Sequence, residues 1–209
     1  MYVKLFMTTN PYTVAPDTNV SDAMVIMREK NIRRMPVMKN GKLVGMISEK
    51  KLLEVSPSPA TSLSVFEINY LLSKTKIESV MTKDVVTISS GSLLEEAAIK
   101  MRDNHVGSLP VVDDGKLVGI ITESNVFDAF VEVLGARDHG SRIVIEVVDD
   151  RPGVVAKIAG IIAGFDVNIT HLVFLKSEIM IRVNTHNIDS ILKALAENGF
   201  KVISVTKNQ

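Results

Sequence analysis

The chain has no cysteine and no tryptophan in 209 residues, and aromatic residues make up only 5% of it. Without cysteine there can be no disulfide framework, no thiolate metal site and no cysteine nucleophile, which fits a reducing compartment. Long apolar runs are also missing: none approaches the roughly 18 residues needed to cross a bilayer. The N-terminal stretch MYVKLFMTTNP reaches Pro11 before an apolar signal core can develop. The expectation is a cytoplasmic protein with no membrane partner. Charge of one sign is not in excess either, with Lys plus Arg at 24 and Asp plus Glu at 24, so the basic surplus that phosphate-backbone binding needs is absent and nucleic acid is not an expected partner. No P-loop, GxGxxG or GxSxG pattern occurs, and His105, His139, His171 and His186 are dispersed without metal-ligand spacing. Neither an enzyme nor a metal site is indicated.

What is present is a repeat. Met7-Thr8 returns as Met81-Thr82, Pro36-Val37 as Pro110-Val111, and Gly41-Lys42-Leu43-Val44-Gly45 as Gly115-Lys116-Leu117-Val118-Gly119, each pair 74 positions apart. Within each copy the periodicity predicts a helix, over 20–30 and 93–104. Short strands follow at 35–38 and 109–112. Asn40-Gly41 and Asp114-Gly115 are hairpin turns leading into strands at 43–47 and 117–121, and closing helices are predicted over 49–54 and 123–134. A unit of about 50 residues cannot bury its apolar faces alone, so the two copies are expected to pack sheet against sheet. Between them, SPSPATSLSVFEINYLLSKTK opens with Ser/Pro turn chemistry. It then becomes amphipathic, with Val65, Ile68, Leu71 and Leu72 on one helical face: a linker with a short helix.

Beyond about Ser141 the repeat ends. RIVIEVV reads as a strand, 152–164 as a helix, 168–175 and 178–183 as a hairpin turned at Lys176-Ser177, 188–198 as a helix closed by Gly199, and 201–205 as a last strand. The order βαββαβ is the ferredoxin-like arrangement. The fold class is therefore α/β (α+β), in four parts: repeat one at 1–56, linker 57–78, repeat two at 79–136 and a C-terminal domain at 140–209.

The MT starts, the Met/Leu-Pro-Val strands, the GKLVG hairpins, and the segments GMISEKK and GIITESN together resemble CBS domains over nearly all of residues 1–135. DDRPGVVAKIAGIIAGFDVNIT resembles the first βαβ of an ACT domain. Two CBS repeats followed by an ACT domain is similar to the acetoin-utilisation AcuB-like family. That resemblance implies a regulatory protein without a catalytic domain or obligatory cofactor. It further implies an adenosine nucleotide (AMP, ADP, ATP or S-adenosylmethionine) as ligand, a homodimer formed through CBS or ACT domains, and a regulated partner protein of unknown identity.

The resemblance to ligand-binding CBS domains implies that the hydroxyl residue and an acidic residue three positions later hold the ribose. In copy two these are Thr122 and Asn125, and Asn keeps an accepting oxygen without the charge. In copy one they are Ser48 and Lys51, and an ammonium cannot accept. Copy one is instead cationic: residues 7–54 hold eight Lys/Arg against five Asp/Glu, whereas residues 81–128 hold four against eight. Arg33 and Arg34 stand where copy two has Gly107 and Ser108. The expectation is one asymmetric site, with base and ribose against Leu109, Pro110, Thr122 and Asn125 and phosphate against Arg33, Arg34 and Lys51, while His105 precedes the GSLP strand within reach of a ligand. The charge asymmetry is equally open to a second reading, as attraction between repeats or between protomers. An architectural homodimer without a small-molecule ligand is the alternative function. In the C-terminal domain, Asp150 and Pro152 suit a helix start, and Gly153 lets backbone approach closely. The ACT resemblance implies an amino acid held by Asp150, Pro152, Gly153, Val154, Asn168 and Thr170.

Overall fold

The computed structural model describes residues 1–55, 64–148 and 151–208; the side chains of Val65, Ile68 and Asn69 lie outside that description. The chain divides into two compact units, Met1–Val126 and Phe127–Gln209. Among the described residues no helix is long and apolar enough to cross a membrane.

In the first unit each copy folds by the same local rules. Asn40 and Gly41 take φ of +52° and +74°, and Asp114 and Gly115 take +49° and +73°. Both central residues of each turn are thus left-handed, as a two-residue hairpin turn of matching twist requires. The turns pair β2 (Arg34–Lys39) with β3 (Lys42–Ser48) and β4 (Ser108–Asp113) with β5 (Lys116–Thr122), both antiparallel. Both ladders shift register at the same step, Val37/Met38 and Val111/Val112. Helix α1 (Val20–Glu29) buries Val20, Ala23 and Met27, and α5 (Leu94–Asp103) buries Leu94, Ala97 and Met101. The core of copy one adds Met35, Val37, Ile47 and Leu52, the last from α2 (Glu49–Glu54). Each fully buried side chain of this kind is worth about 1.5–3 kcal/mol. The linker helix α3 (Val65–Lys74) starts at Ser64, whose hydroxyl accepts from the Glu67 N–H at 3.3 Å while Glu67 accepts from the Ser64 N–H at 2.8 Å. It packs on α1, with Leu72 against the core of copy one. The Ser/Pro turn expected at 56–60 lies outside the described residues.

The copies are not self-contained. Strand β1 (Thr8–Thr9) pairs with β5 of copy two, Thr8 opposite Ile120 and Thr9 opposite Gly119. Reciprocally, Thr82 bridges Met46 of copy one, each N–H donating to the other's carbonyl at 2.9 Å. The exchange continues upstream. Val3, fully buried in a 3-10 turn, donates its N–H to Ser92, and Ile77, fully buried at the start of α4 (Ile77–Val80), donates to Thr18, both at 2.9 Å. The 74-residue offset relates these contacts one to one, but each incoming segment lies on the sheet of the other copy.

Gly45 and Gly119 explain why the exchange needs glycine. A Cβ at Gly119 would meet the Thr8 carbonyl oxygen at 3.0 Å and the Met7 sulfur at 2.7 Å; a Cβ at Gly45 would meet the Thr82 carbonyl oxygen, again at 3.0 Å, and the Met81 side chain. The Met-Thr starts and the last glycine of GKLVG are two halves of one crossing.

Helix α6 (Glu123–Val133) carries the chain into the second unit. There β6 (Gly140–Glu146), α7 (Val154–Ala163), β7 (Ile169–Leu175), β8 (Glu178–Val183), α8 (Asp189–Glu197) and β9 (Lys201–Asn208) form an antiparallel sheet in the order β7-β8-β6-β9. Parallel β6 and β7 are split by β8, which is the ferredoxin-like topology. Ile143, Ile145, Ile179 and Ile181 meet Ile158, Ile162, Ile191 and Leu195 in its core. On the other sheet face His171, Arg182 and Arg142 stand in one cross-strand row. Arg182 Nε donates to the Leu134 carbonyl at 2.7 Å, and burial, then the charge of Arg142, draw its guanidinium below its ordinary pKa, against Asp138.

The start of α7 differs from the sequence reading. Helix α7 starts at Val154, with Gly153 as its N-cap at φ +96°, so Pro152 sits in the preceding turn rather than the first helical turn. Among the described residues nothing lies within 4 Å of a Cβ built on Gly153. Its glycine serves the left-handed φ, not a close backbone approach.

Candidate functional site

The exchange of segments creates two clefts in the first unit. The first, about 400 Å³, lies between the end of β3 (Ser48) with Glu49 and Lys50, the incoming segment Thr82 to Val86, and the turn from His105 to Ser108. The second, about 410 Å³, lies between Ile120, Thr122 and Ser124, the incoming segment Thr8 to Tyr12, and the turn from Asn31 to Arg34. The 74-residue shift carries one lining onto the other: Ser48 onto Thr122, Thr82 onto Thr8, Val86 onto Tyr12. Both volumes fall in the range usual for small-ligand pockets. Arg33 and Arg34 break the symmetry, because they line both clefts.

The two hydroxyl residues are helix caps. The Ser48 side chain accepts from the Lys51 N–H at 3.2 Å at the start of α2. Thr122 does the same for α6 more fully: its Oγ1 accepts from the Asn125 N–H at 3.4 Å, while Asn125 Oδ1 accepts from the Thr122 N–H at 2.9 Å and its O–H at 2.7 Å. This is a capping box with an amide in the usual glutamate place. The Asn125 oxygen expected to accept from a ribose is thus turned onto Thr122.

Other residues fall as follows. Lys51 Nζ reaches Glu54 at 3.3 Å and lines neither cleft; its neighbour Lys50 lines the first. Leu109 is fully buried and Pro110 is buried in β4, so the residue of that strand facing the first cleft is Ser108. His105 lines the first cleft with Ser48, apart from Thr122, and its φ of +53° ends the helical turn as Asn31 does at +50° in copy one. A Cβ at Gly107 would collide with the Arg34 guanidinium and come within 2.6 Å of Glu123 Oε2. Copy two is small at that position because the arginine of copy one occupies the space. Thr122, Arg33 and Arg34 share the second cleft, whereas Asn125, Lys51, Leu109 and Pro110 are not part of its lining.

Sequence reading missed the contributions of Thr8 to Tyr12 and Thr82 to Val86. A signal was available, since Gly45 and Gly119 sit mid-strand where glycine implies close passage of another backbone.

In the second unit, Asp149 and Asp150 lie outside the described residues. Pro152 and Gly153 are exposed and Val154 is half-buried. Asn168 donates its N–H to Asn184 Oδ1 at 3.1 Å, and Thr170 Oγ1 donates to the Arg182 carbonyl at 3.5 Å.

Comparison with known proteins agrees with this geometry. The CBS domain family model matches residues 3–58 and 77–132. A structure described as an acetoin utilization protein (AcuB) from Vibrio cholerae is 32% identical, covers 65% of this chain and 93% of its own, and superposes with a TM-score of 0.53. CBSX2, a CBS-pair protein of Arabidopsis thaliana solved in complex with AMP, is 34% identical over 63% of this chain and 97% of that one, with a TM-score of 0.52. The CBS domain pair of protein MJ0100, solved with 5-methylthioadenosine and S-adenosyl-L-methionine, is 28% identical over 63% and 97% of the two chains, with a TM-score of 0.53. With both repeats matched and more than half of its length covered, the chain belongs to the CBS domain family.

Proposed function

We propose that this chain is a non-catalytic regulatory protein whose CBS pair binds an adenosine nucleotide, transmitting occupancy to a partner protein. The observation that carries the reading is the second cleft, where a threonine hydroxyl, a tyrosine ring and two arginines face one cavity of about 410 Å³. Guanidinium groups suit a phosphate bidentately. Relatives crystallised with AMP or with S-adenosyl-L-methionine support the ligand class. On this reading residues 140–209 form an ACT domain that joins two chains and offers an amino-acid site around Gly153, Val154, Asn168 and Thr170.

A second reading, an architectural homodimer with no small ligand, is favoured by one feature. Edge strand β7 exposes Leu172, Phe174 and Leu175, the kind of unpaired apolar edge that pairs with another chain. Titration calorimetry with AMP, ADP, ATP and S-adenosylmethionine separates the two. Thr122→Ala is expected to weaken binding at least tenfold, and Thr122→Ser, which keeps the cap, to weaken it much less. Equal affinity in wild type and Thr122→Ala removes the site assignment; no binding by wild type leaves the architectural reading.

A further inference from the structure

Arg33 and Arg34 line both clefts, and copy two supplies no second pair, because their counterparts are Gly107 and Ser108. The remaining charges differ. Among the described residues the second cleft is lined by no charged side chain apart from the two arginines, so with them it is cationic. The first cleft contains Glu49 and Asp84 against Lys50, and Asp84 stands where the second has Asn10. When the arginines turn to an anion in the second cleft, the first retains two carboxylates and one ammonium, a net negative lining.

From this we propose that the two clefts divide their ligands by charge. The Thr122 cleft takes a phosphorylated adenosine nucleotide and draws in both arginines, and the Ser48 cleft then takes an adenosine derivative without phosphate, neutral or positively charged. The division rests on the nucleotide reading above. Its physical basis is competition: a guanidinium drawn bidentately onto a phosphate in one cleft is turned away from the other and has its charge compensated there, and a net negative lining repels a second dianion across a partly desolvated cleft. Arg34, packed over Gly107 beside Glu123, is placed where it meets both sides.

Titration calorimetry with AMP and with adenosine, each alone and adenosine again on AMP-saturated protein, tests the division. AMP is expected to fill one site per chain, with any second site at least tenfold weaker. Adenosine should still bind one molecule per AMP-saturated chain. The double variant R33G/R34S carries the residues copy two has at these positions; its melting profile reports whether it is folded. It should lower the tight AMP affinity at least tenfold and narrow the difference between the AMP sites to what the carboxylates of the first cleft leave. Asp84→Asn, which leaves both arginines in place, should raise the affinity of the weaker AMP site severalfold without altering the tight one.

Two AMP sites of equal affinity overturn the division while leaving the nucleotide reading intact. So does a gap between AMP sites that R33G/R34S leaves as wide as in wild type, since simple repulsion between phosphates would persist without the arginines. AMP-saturated protein that takes up no adenosine overturns it too. Failure of wild type to bind either AMP or adenosine overturns the nucleotide reading and the division with it.

Discussion

A threonine hydroxyl has one proton and two lone pairs, and Thr122 spends the proton and one lone pair on Asn125. What Thr122 keeps for a ligand in the cleft is therefore its second lone pair. The duplicated hydroxyl is kept in both copies because both are N-caps, and Lys51 removes only the reciprocal arm of the cap in copy one. A hydroxyl followed three positions later by an accepting side chain is the same pattern whether it caps a helix or holds a ribose, so the residues were legible in the sequence and their division of labour was not. Asn125 lies outside the cleft lining, and its part is to hold the Thr122 hydroxyl at the start of α6. Asn125→Asp is expected to strengthen that cap by about 1 kcal/mol, the difference between charged and neutral hydrogen bonds. Denaturant melts are the check; unchanged stability would show that the tie between residues 122 and 125 contributes nothing.

The helices and hairpins of both copies could be read from periodicity and from Asn-Gly and Asp-Gly turns because those signals are local. The exchange of N-terminal segments could not, since a perfect repeat is degenerate: Thr8 matches the edge of β3 as well as that of β5, and only three-dimensional closure chooses. Gly119→Ala is expected to push the Met7-Thr8 crossing outward and destabilise the first unit by about 1–3 kcal/mol, the usual cost of overpacking. Denaturant melts measure it, and Gly45→Ala should behave alike. A full-stability Gly119→Ala would mean that the crossing gives way freely. A second element-level contact is electrostatic. Asp113, at the end of β4, accepts from Ser89 Oγ at 2.8 Å and the Ser90 N–H at 3.0 Å, and hydrogen bonds from Ser90, then Ser89, hold its carboxyl below the ordinary carboxylate pKa. The tie is complete above the unfolded carboxylate pKa of about 4 and is lost as pH falls through the lower folded value. Asp113→Asn should therefore flatten the acid limb of the stability curve and cost most at neutral pH; identical pH profiles would exclude the tie.

At the scale of the molecule the charges cancel, 24 against 24, yet the sequence spans of the repeats carry +3 and −4. The neutral total concealed a cationic cleft built from a pair of arginines on one copy. AMP affinity should accordingly fall as salt is raised from about 50 to about 500 mM, while adenosine affinity stays level, because only the phosphate depends on unscreened charge. Parallel salt dependence for both ligands would remove Arg33 and Arg34 from phosphate recognition. The crossing of Met7-Thr8 over Gly119 and of Met81-Thr82 over Gly45 also has a bearing on ancestry. A single-repeat forebear with this arrangement would have been an exchanged dimer, each protomer lending its first strand to the other. Duplication and fusion through the segment that now holds α3 would turn that reciprocal loan between molecules into one within a single chain and leave the two halves free to diverge. A founding homodimer must carry its arginines twice; only a fused gene can keep them in one half and give up their counterparts in the other.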